Sequence, residues 1–212
     1  MKRIGRLHVL TDTTLQDRFS HLELARLAVQ GGADAIQYRQ KLGSTRSLIE
    51  TAREMKRVCE AGGAVFIVND RVDVALASGA DGVHLGRDDF PIPMARDLLG
   101  PDRIVGGSAS NLEEAAACVR DGADYVGFGP VFPTTSKADA GPAGGLEALR
   151  SISSSVGAPV IAIGGINEEN AGRVMGSGAH GIAVISAVCC RPDPDGAATA
   201  LCRLVQRPAP GL

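Results

Sequence analysis

Short apolar runs alternate with longer, half-polar stretches from one end of the 212-residue chain to the other. The runs at Leu7–Leu10, Ala35–Tyr38, Val65–Val68, Gly82–Leu85, Ile104–Val105, Tyr125–Phe128, Val160–Ile163 and Gly181–Val184 are too short for helices, and each predicts a strand. Between them apolar residues recur at helical spacing. Leu22, Leu24, Leu27 and Ala28 form one stripe, Leu48, Ala52, Met55 and Val58 a second, and Ala115, Ala116 and Val119 a third. Eight strands, each followed by a helix, predict a parallel sheet buried under helices, because strands covered on both faces read as continuous apolar runs.

An internal echo sets the number of units. Gly32-Ala33-Asp34, Gly79-Ala80-Asp81, Gly122-Ala123-Asp124 and Gly178-Ala179-His180 stand immediately before strands two, four, six and eight. A glycine able to take positive φ at a helix end, followed by strand entry, accounts for the recurrence. Four copies of a two-strand unit give eight strands, the number that closes a (β/α)8 TIM barrel, and the chain length lies near the short end for that fold. The rival is an open doubly wound sheet, but no G-x-G-x-x-G follows a strand. The expectation is therefore one α/β barrel domain over residues 1–212, with a disordered tail from about residue 207.

Composition narrows the chemistry. Lys and Arg number 22 against 24 Asp and Glu, without a basic run, which argues against a nucleic-acid surface. Aromatic residues are 3% and tryptophan is absent, so base-stacking platforms are not expected. No apolar run approaches the roughly 20 residues that cross a bilayer, and the run after Met1-Lys2-Arg3 is too short for a signal-peptide core. Cys59, Cys118, Cys189, Cys190 and Cys202 are odd in number and lack C-x-x-C spacing, which fits reduced thiols in a cytoplasmic protein.

In a barrel of this kind ligands meet the C-terminal ends of the strands. Three chemistries gather there. Gly164-Gly165 after strand seven and Ile185-Ser186 after strand eight suit a phosphate cradle, although tight turns would also demand the glycines. Arg39, Lys41 and Lys137 supply cations suited to a polyanion such as diphosphate, with Arg39 and Lys41 two apart and hence on one face. Asp70 and Asp89 could hold magnesium, which takes one or two carboxylates and completes its shell with phosphates and water; each could instead cap a helix. His84 faces the rim and suits a substrate contact better than a general base. The loop Val131–Ala143, with its polar run at Thr134, Thr135, Ser136 and Lys137, reads as a lid.

Taken together, these residues resemble the thiamine-phosphate synthase family over essentially the whole chain. Q-x-R-x-K is met by Gln37, Arg39 and Lys41, N-D by Asn69-Asp70, and H-x-G-x-x-D by His84, Gly86 and Asp89. The lid motif G-P-[VI]-[FY]-P-T-x-[TS]-K runs from Gly129 to Lys137, I-G-G-I is Ile163–Ile166, and V-I-S is Val184–Ser186. Departures are Gln40 where Glu is frequent, Arg87 where Gln is usual, and Ser110 where His is common. The resemblance implies a magnesium-dependent transferase of thiamine biosynthesis. It would condense 4-amino-5-hydroxymethyl-2-methylpyrimidine diphosphate with 4-methyl-5-hydroxyethylthiazole phosphate, releasing diphosphate. It further implies that Asp70 and Asp89 hold magnesium. Gln37, Arg39, Lys41, Asn69, Ser108 and Lys137 would bind the pyrimidine diphosphate, with Arg39, Lys41 and Lys137 catalytic. Thr134, Ser136, Gly165, Ile185 and Ser186 would bind the thiazole phosphate, His84 would line the pyrimidine pocket, and Tyr38, Gln40 and Thr135 would also contact substrate. Small-molecule substrates are implied, with neither nucleic acid nor membrane as partner, and a homo-oligomer is compatible with the resemblance. Two alternatives stay open: a thiazole tautomerase on the same barrel, and a non-catalytic barrel that binds thiamine precursors.

Overall fold

The structure, a computed structural model, describes residues 2–136 and 141–206. Eight parallel strands close into a barrel in sequence order: β1 (Leu7–Thr11), β2 (Ala35–Tyr38), β3 (Val65–Asn69), β4 (Gly82–Leu85), β5 (Ile104–Ala109), β6 (Tyr125–Phe128), β7 (Val160–Ile163) and β8 (Gly181–Val184). Around them run α1 (His21–Gln30), α2 (Thr45–Ala61), α3 (Val72–Ser78), α4 (Ile92–Leu99), α5 (Leu112–Arg120), α6 (Gly145–Ser155) and α7 (Ala171–Met175). Two helices follow β8: one turn at α8 (Ser186–Cys189), then α9 (Pro194–Gln206), one more than the simple alternation predicts. The expected disordered tail from about residue 207 lies outside the described residues.

The period-two pleat sorts each strand into two cores. Leu10, Ile67, Ile104, Tyr125, Ile161 and Ala183 fill the barrel interior as one cluster. Leu7, Val9, Ile36, Phe66, Val83, Val126 and their neighbours face the helices as a second, larger one. Gln37, Arg39 and Lys41 alternate in phase along β2 and its extension, so all three reach the mouth.

The repeat is explained by two features. Gly32, Gly79, Gly122 and Gly178 all take positive φ, from 74° to 99°. The aspartates after them do more than mark strand entry. Asp34 accepts from the Leu7 N–H at 3.1 Å, Asp81 from Phe66 at 2.8 Å and Asp124 from Val105 at 2.8 Å. Each carboxylate thus satisfies a backbone donor at the start of the preceding strand.

One boundary differs in a consequential way. The sequence predicts β5 to end at Val105, yet it continues through Gly106, Gly107 and Ser108 to Ala109. His84 and Leu85 pair with Gly106 and Gly107 on one side, and Tyr125, Val126 and Gly127 pair with Gly106, Gly107 and Ser108 on the other. Ladder bonding on both edges overrides the weak strand preference of glycine. No described helix is long and apolar enough to cross a membrane.

Candidate active site

At the C-terminal ends of the strands a cavity of about 1240 Å³ opens. β2 and its extension supply Gln37, Arg39 and Lys41; β3 supplies Asn69, followed by Asp70. His84 comes from β4, Asp89 from the turn beyond it, and Ser108 from β5. The segment after β6 adds Thr134, Thr135 and Ser136, and the far wall carries Gly165, Ile185 and Ser186. Residues scattered over 150 positions of sequence thus share one wall-to-wall cavity, save three from the expected set.

Tyr38 is a correction. It points outward, buried beneath the helices, with its ring edge-on to His21 at 4.8 Å between centroids. The same alternation that brings Gln37 and Arg39 to the mouth sends Tyr38 away from it. Gln40, out of phase with Arg39 and Lys41, is likewise absent from the cavity wall. Lys137 lies outside the described residues, as do positions 138–140 of the expected lid.

The acidic pair comes together. Asp89 sits above the usual carboxylate range because burial and a side-chain hydrogen bond with Asp70 both penalise its ionised form. The Gly86 N–H donates to Asp89 Oδ2 at 2.7 Å and fixes the turn. Neither aspartate caps a helix: Arg71 and Pro91 occupy the N-cap positions of α3 and α4, without side-chain cap bonds. Asp70 is instead held in the left-handed region at φ 66°, and Lys41 forms an ion pair with it. Two carboxylates on one cavity wall, each raising the cost of ionising the other, offer a place that a divalent cation could occupy. Among the described residues no cluster of three or more His, Cys, Asp or Glu forms. The donor set therefore fits a cation that draws its remaining ligands from phosphate and water.

Arg39 and Lys41 are both engaged by carboxylates. Arg39 forms an ion pair with Asp12, whose side chain is 1% exposed. Asp12 Oδ1 accepts from the Thr14 N–H at 2.8 Å and from its hydroxyl at 2.6 Å, so the carboxylate is held from behind. Sequence reasoning missed Asp12, although it directly follows β1 and the strand-end rule reaches it. His84 is fixed at both nitrogens, by the Tyr125 hydroxyl at 2.9 Å and the Ser108 hydroxyl at 3.0 Å, and its ring stacks on Tyr125 at 5.4 Å. Burial pushes the Tyr125 hydroxyl up. A ring so pinned suits shaping a pocket rather than moving protons.

On the opposite wall both glycines of the predicted cradle are in the left-handed region, Gly164 at φ 100° and Gly165 at φ 64°. A Cβ on Gly165 would lie 2.6 Å from the Pro133 carbonyl oxygen. The turn thus packs directly beneath the segment after β6, whose Phe132 N–H donates to the Gly164 carbonyl at 3.0 Å. The Ser136 hydroxyl donates to that of Ser186 at 3.2 Å, joining two predicted phosphate-side residues. Cys189 is structural: its thiol donates to the Leu10 carbonyl at 3.2 Å, and burial pushes it up to about 12.

Known proteins resemble this chain in sequence and in fold. A family model described as thiamine monophosphate synthase matches residues 7–188. A thiamine-phosphate synthase from Salinibacter ruber is 52% identical over 194 residues, spanning 92% of this chain and 86% of its own. One from Chloroflexus aurantiacus is 52% identical over 200 residues, spanning 94% and 92%. The solved structure of thiamine phosphate pyrophosphorylase from Pyrococcus furiosus superposes with a TM-score of 0.87 at 45% identity, covering 95% of both chains.

Proposed function

The chain belongs to the thiamine monophosphate synthase family, and from that premise we propose how its rim divides the work between two substrates. The enzyme is a transferase of thiamine biosynthesis that makes thiamine phosphate. Its substrates in this reading are 4-amino-5-hydroxymethyl-2-methylpyrimidine diphosphate and 4-methyl-5-hydroxyethylthiazole phosphate. The observation that carries the assignment is that Asp70 and Asp89 line the same rim of one cavity, with Lys41 paired to Asp70 and Arg39 nearby along that rim.

Asp70 and Asp89 would hold magnesium, which when bound would offset charge on the diphosphate. Arg39 and Lys41 flank that position, and Lys137, the last residue of the lid motif, is assigned a third contact with the departing group by the family resemblance. The bond from the pyrimidine methylene to the diphosphate oxygen breaks, and its electron pair leaves on the diphosphate. The aminopyrimidine spreads the resulting positive charge. The thiazole nitrogen then donates its lone pair to the methylene and the new C–N bond closes the product. No proton has to be abstracted, so the chain's task is orientation and charge stabilisation. Gln37, Asn69 and Ser108, beside His84, bind the pyrimidine side, while Thr134, Ser136, Gly165, Ile185 and Ser186 bind the thiazole phosphate. Tyr38 and Gln40 are not part of this set. The reduced thiols and balanced charge support a cytoplasmic location.

The test is incubation with both precursors, with and without magnesium, followed by chromatography for thiamine phosphate. Product that requires the metal is expected. Absence of product with metal contradicts the substrate assignment, and equal product after chelation contradicts the magnesium assignment.

A further inference from the structure

We infer that Arg191 is an additional substrate-binding residue, whose guanidinium takes the phosphate monoester of the thiazole at the β8 side of the mouth. The inference rests on the two-substrate reading above and deepens it. Four cationic side chains among the described residues line the cavity: Arg39, Lys41, Arg87 and Arg191. Three are matched by carboxylates: Arg39 by Asp12, Lys41 by Asp70, and Arg87 by Glu114 at 2.9 Å. The guanidinium of Arg191 has no hydrogen-bond or ion-pair partner among the described residues.

Its backbone, by contrast, is firmly held. The Arg191 N–H donates to the Val188 carbonyl at 3.1 Å. Arg18, from the segment after β1, donates to the carbonyls of Cys190 at 2.8 Å and Arg191 at 3.0 Å. A fixed stem therefore carries an exposed charge, unpaired among the described residues, into the wall that also holds Ser186. The cavity is electrically divided. Among the described residues its acidic side chains, Asp70, Asp88 and Asp89, all stand on the β3–β4 side, and none of them competes for a cation beside β8. The metal and diphosphate suit the carboxylate side. A lone guanidinium, able to grip two phosphate oxygens at once, suits a monoester that brings no metal.

Steady-state kinetics of Arg191→Gln and Arg191→Lys, varying one precursor at a time, tests this. The Gln variant is expected to raise KM for the thiazole phosphate about tenfold, the Lys variant less, as a charged hydrogen bond predicts. Turnover at saturation and KM for the pyrimidine diphosphate stay at the parent values. With the unphosphorylated thiazole alcohol, parent and Gln variant behave alike. An unchanged KM for the thiazole phosphate, or an equal rise for the alcohol, overturns the inference. A second arm does not need the reaction: calorimetric titration of inorganic phosphate into the parent, Arg191→Gln and the distant surface control Arg26→Gln. Weaker binding only in Arg191→Gln supports the assignment, and equal behaviour of all three overturns it. If the parent makes no thiamine phosphate, the two-substrate reading fails by itself, and the phosphate titration alone decides whether Arg191 is an anion site.

Discussion

Asp12 shows how much of a site can depend on a residue that no ligand need touch. Its carboxylate is buried, held by Thr14 and paired with Arg39. Removing one partner of such a pair leaves an uncompensated charge out of water, and losses of about 3 kcal/mol are usual. Asp12→Asn is therefore expected to lower stability by about that amount in urea unfolding and to raise KM for the pyrimidine diphosphate as Arg39 loses its orientation. An unchanged unfolding midpoint and KM would count against the pairing. Asp12 was legible in principle, since it ends a strand at the rim, but a single aspartate in Thr11-Asp12-Thr13 carries no motif of its own. Tyr38 failed the other way. It lies inside a segment whose flanking residues face the mouth, and only the period-two pleat, applied residue by residue, separates it from Gln37 and Arg39.

At the scale of elements, most of the strand and helix pattern was readable because buried parallel strands leave continuous apolar runs. β5 was readable only in part. Gly106, Gly107 and Ser108 have the composition of a turn, and what makes them a strand is pairing to β4 and β6, which no local pattern records. The glycine is there for space. A Cβ on Gly106 would lie 2.3 Å from Tyr125 Cζ and 2.6 Å from His84 Nδ1. Gly106→Ala is expected to cost about 2 kcal/mol through overpacking and to displace the His84 ring. Thermal unfolding measures the first effect, and histidine NMR shifts measure the second. A variant as stable as the parent, with unmoved His84 resonances, would show that the barrel interior has slack there. The Gly-Ala-Asp echo was visible as a repeat, whereas the aspartates' bonds to β1, β3 and β5 needed the fold.

For the whole molecule, two buried histidines set an acid limit on stability. Burial lowers His8 and His21 to about 4, from the ordinary imidazole value of 6.5. His8 Nε2 donates to the Gly5 carbonyl at 3.0 Å, and the imidazole stays neutral in the folded barrel. Between those two values the unfolded chain binds more protons than the folded one, so stability is lost as pH falls from about 7 towards 4. By pH 5 the loss amounts to about 2 kcal/mol for each histidine. Urea midpoints measured from pH 7.5 to 5 should fall accordingly, and His21→Phe should remove part of the slope; a flat profile would contradict the burial of both rings.

The same global view frames the chemistry: a closed barrel brings distant strand ends to one mouth, where among the described residues carboxylates with Arg39 and Lys41 stand on one side and glycine turns with Arg191 on the other. The most direct test of that division is a crystal structure with pyrimidine diphosphate and manganese, whose anomalous signal marks the metal. The predicted result is a metal peak between Asp70 and Asp89, with the diphosphate reaching Arg39 and Lys41. A peak elsewhere, or a diphosphate lodged against Gly165 and Ser186, would contradict the account.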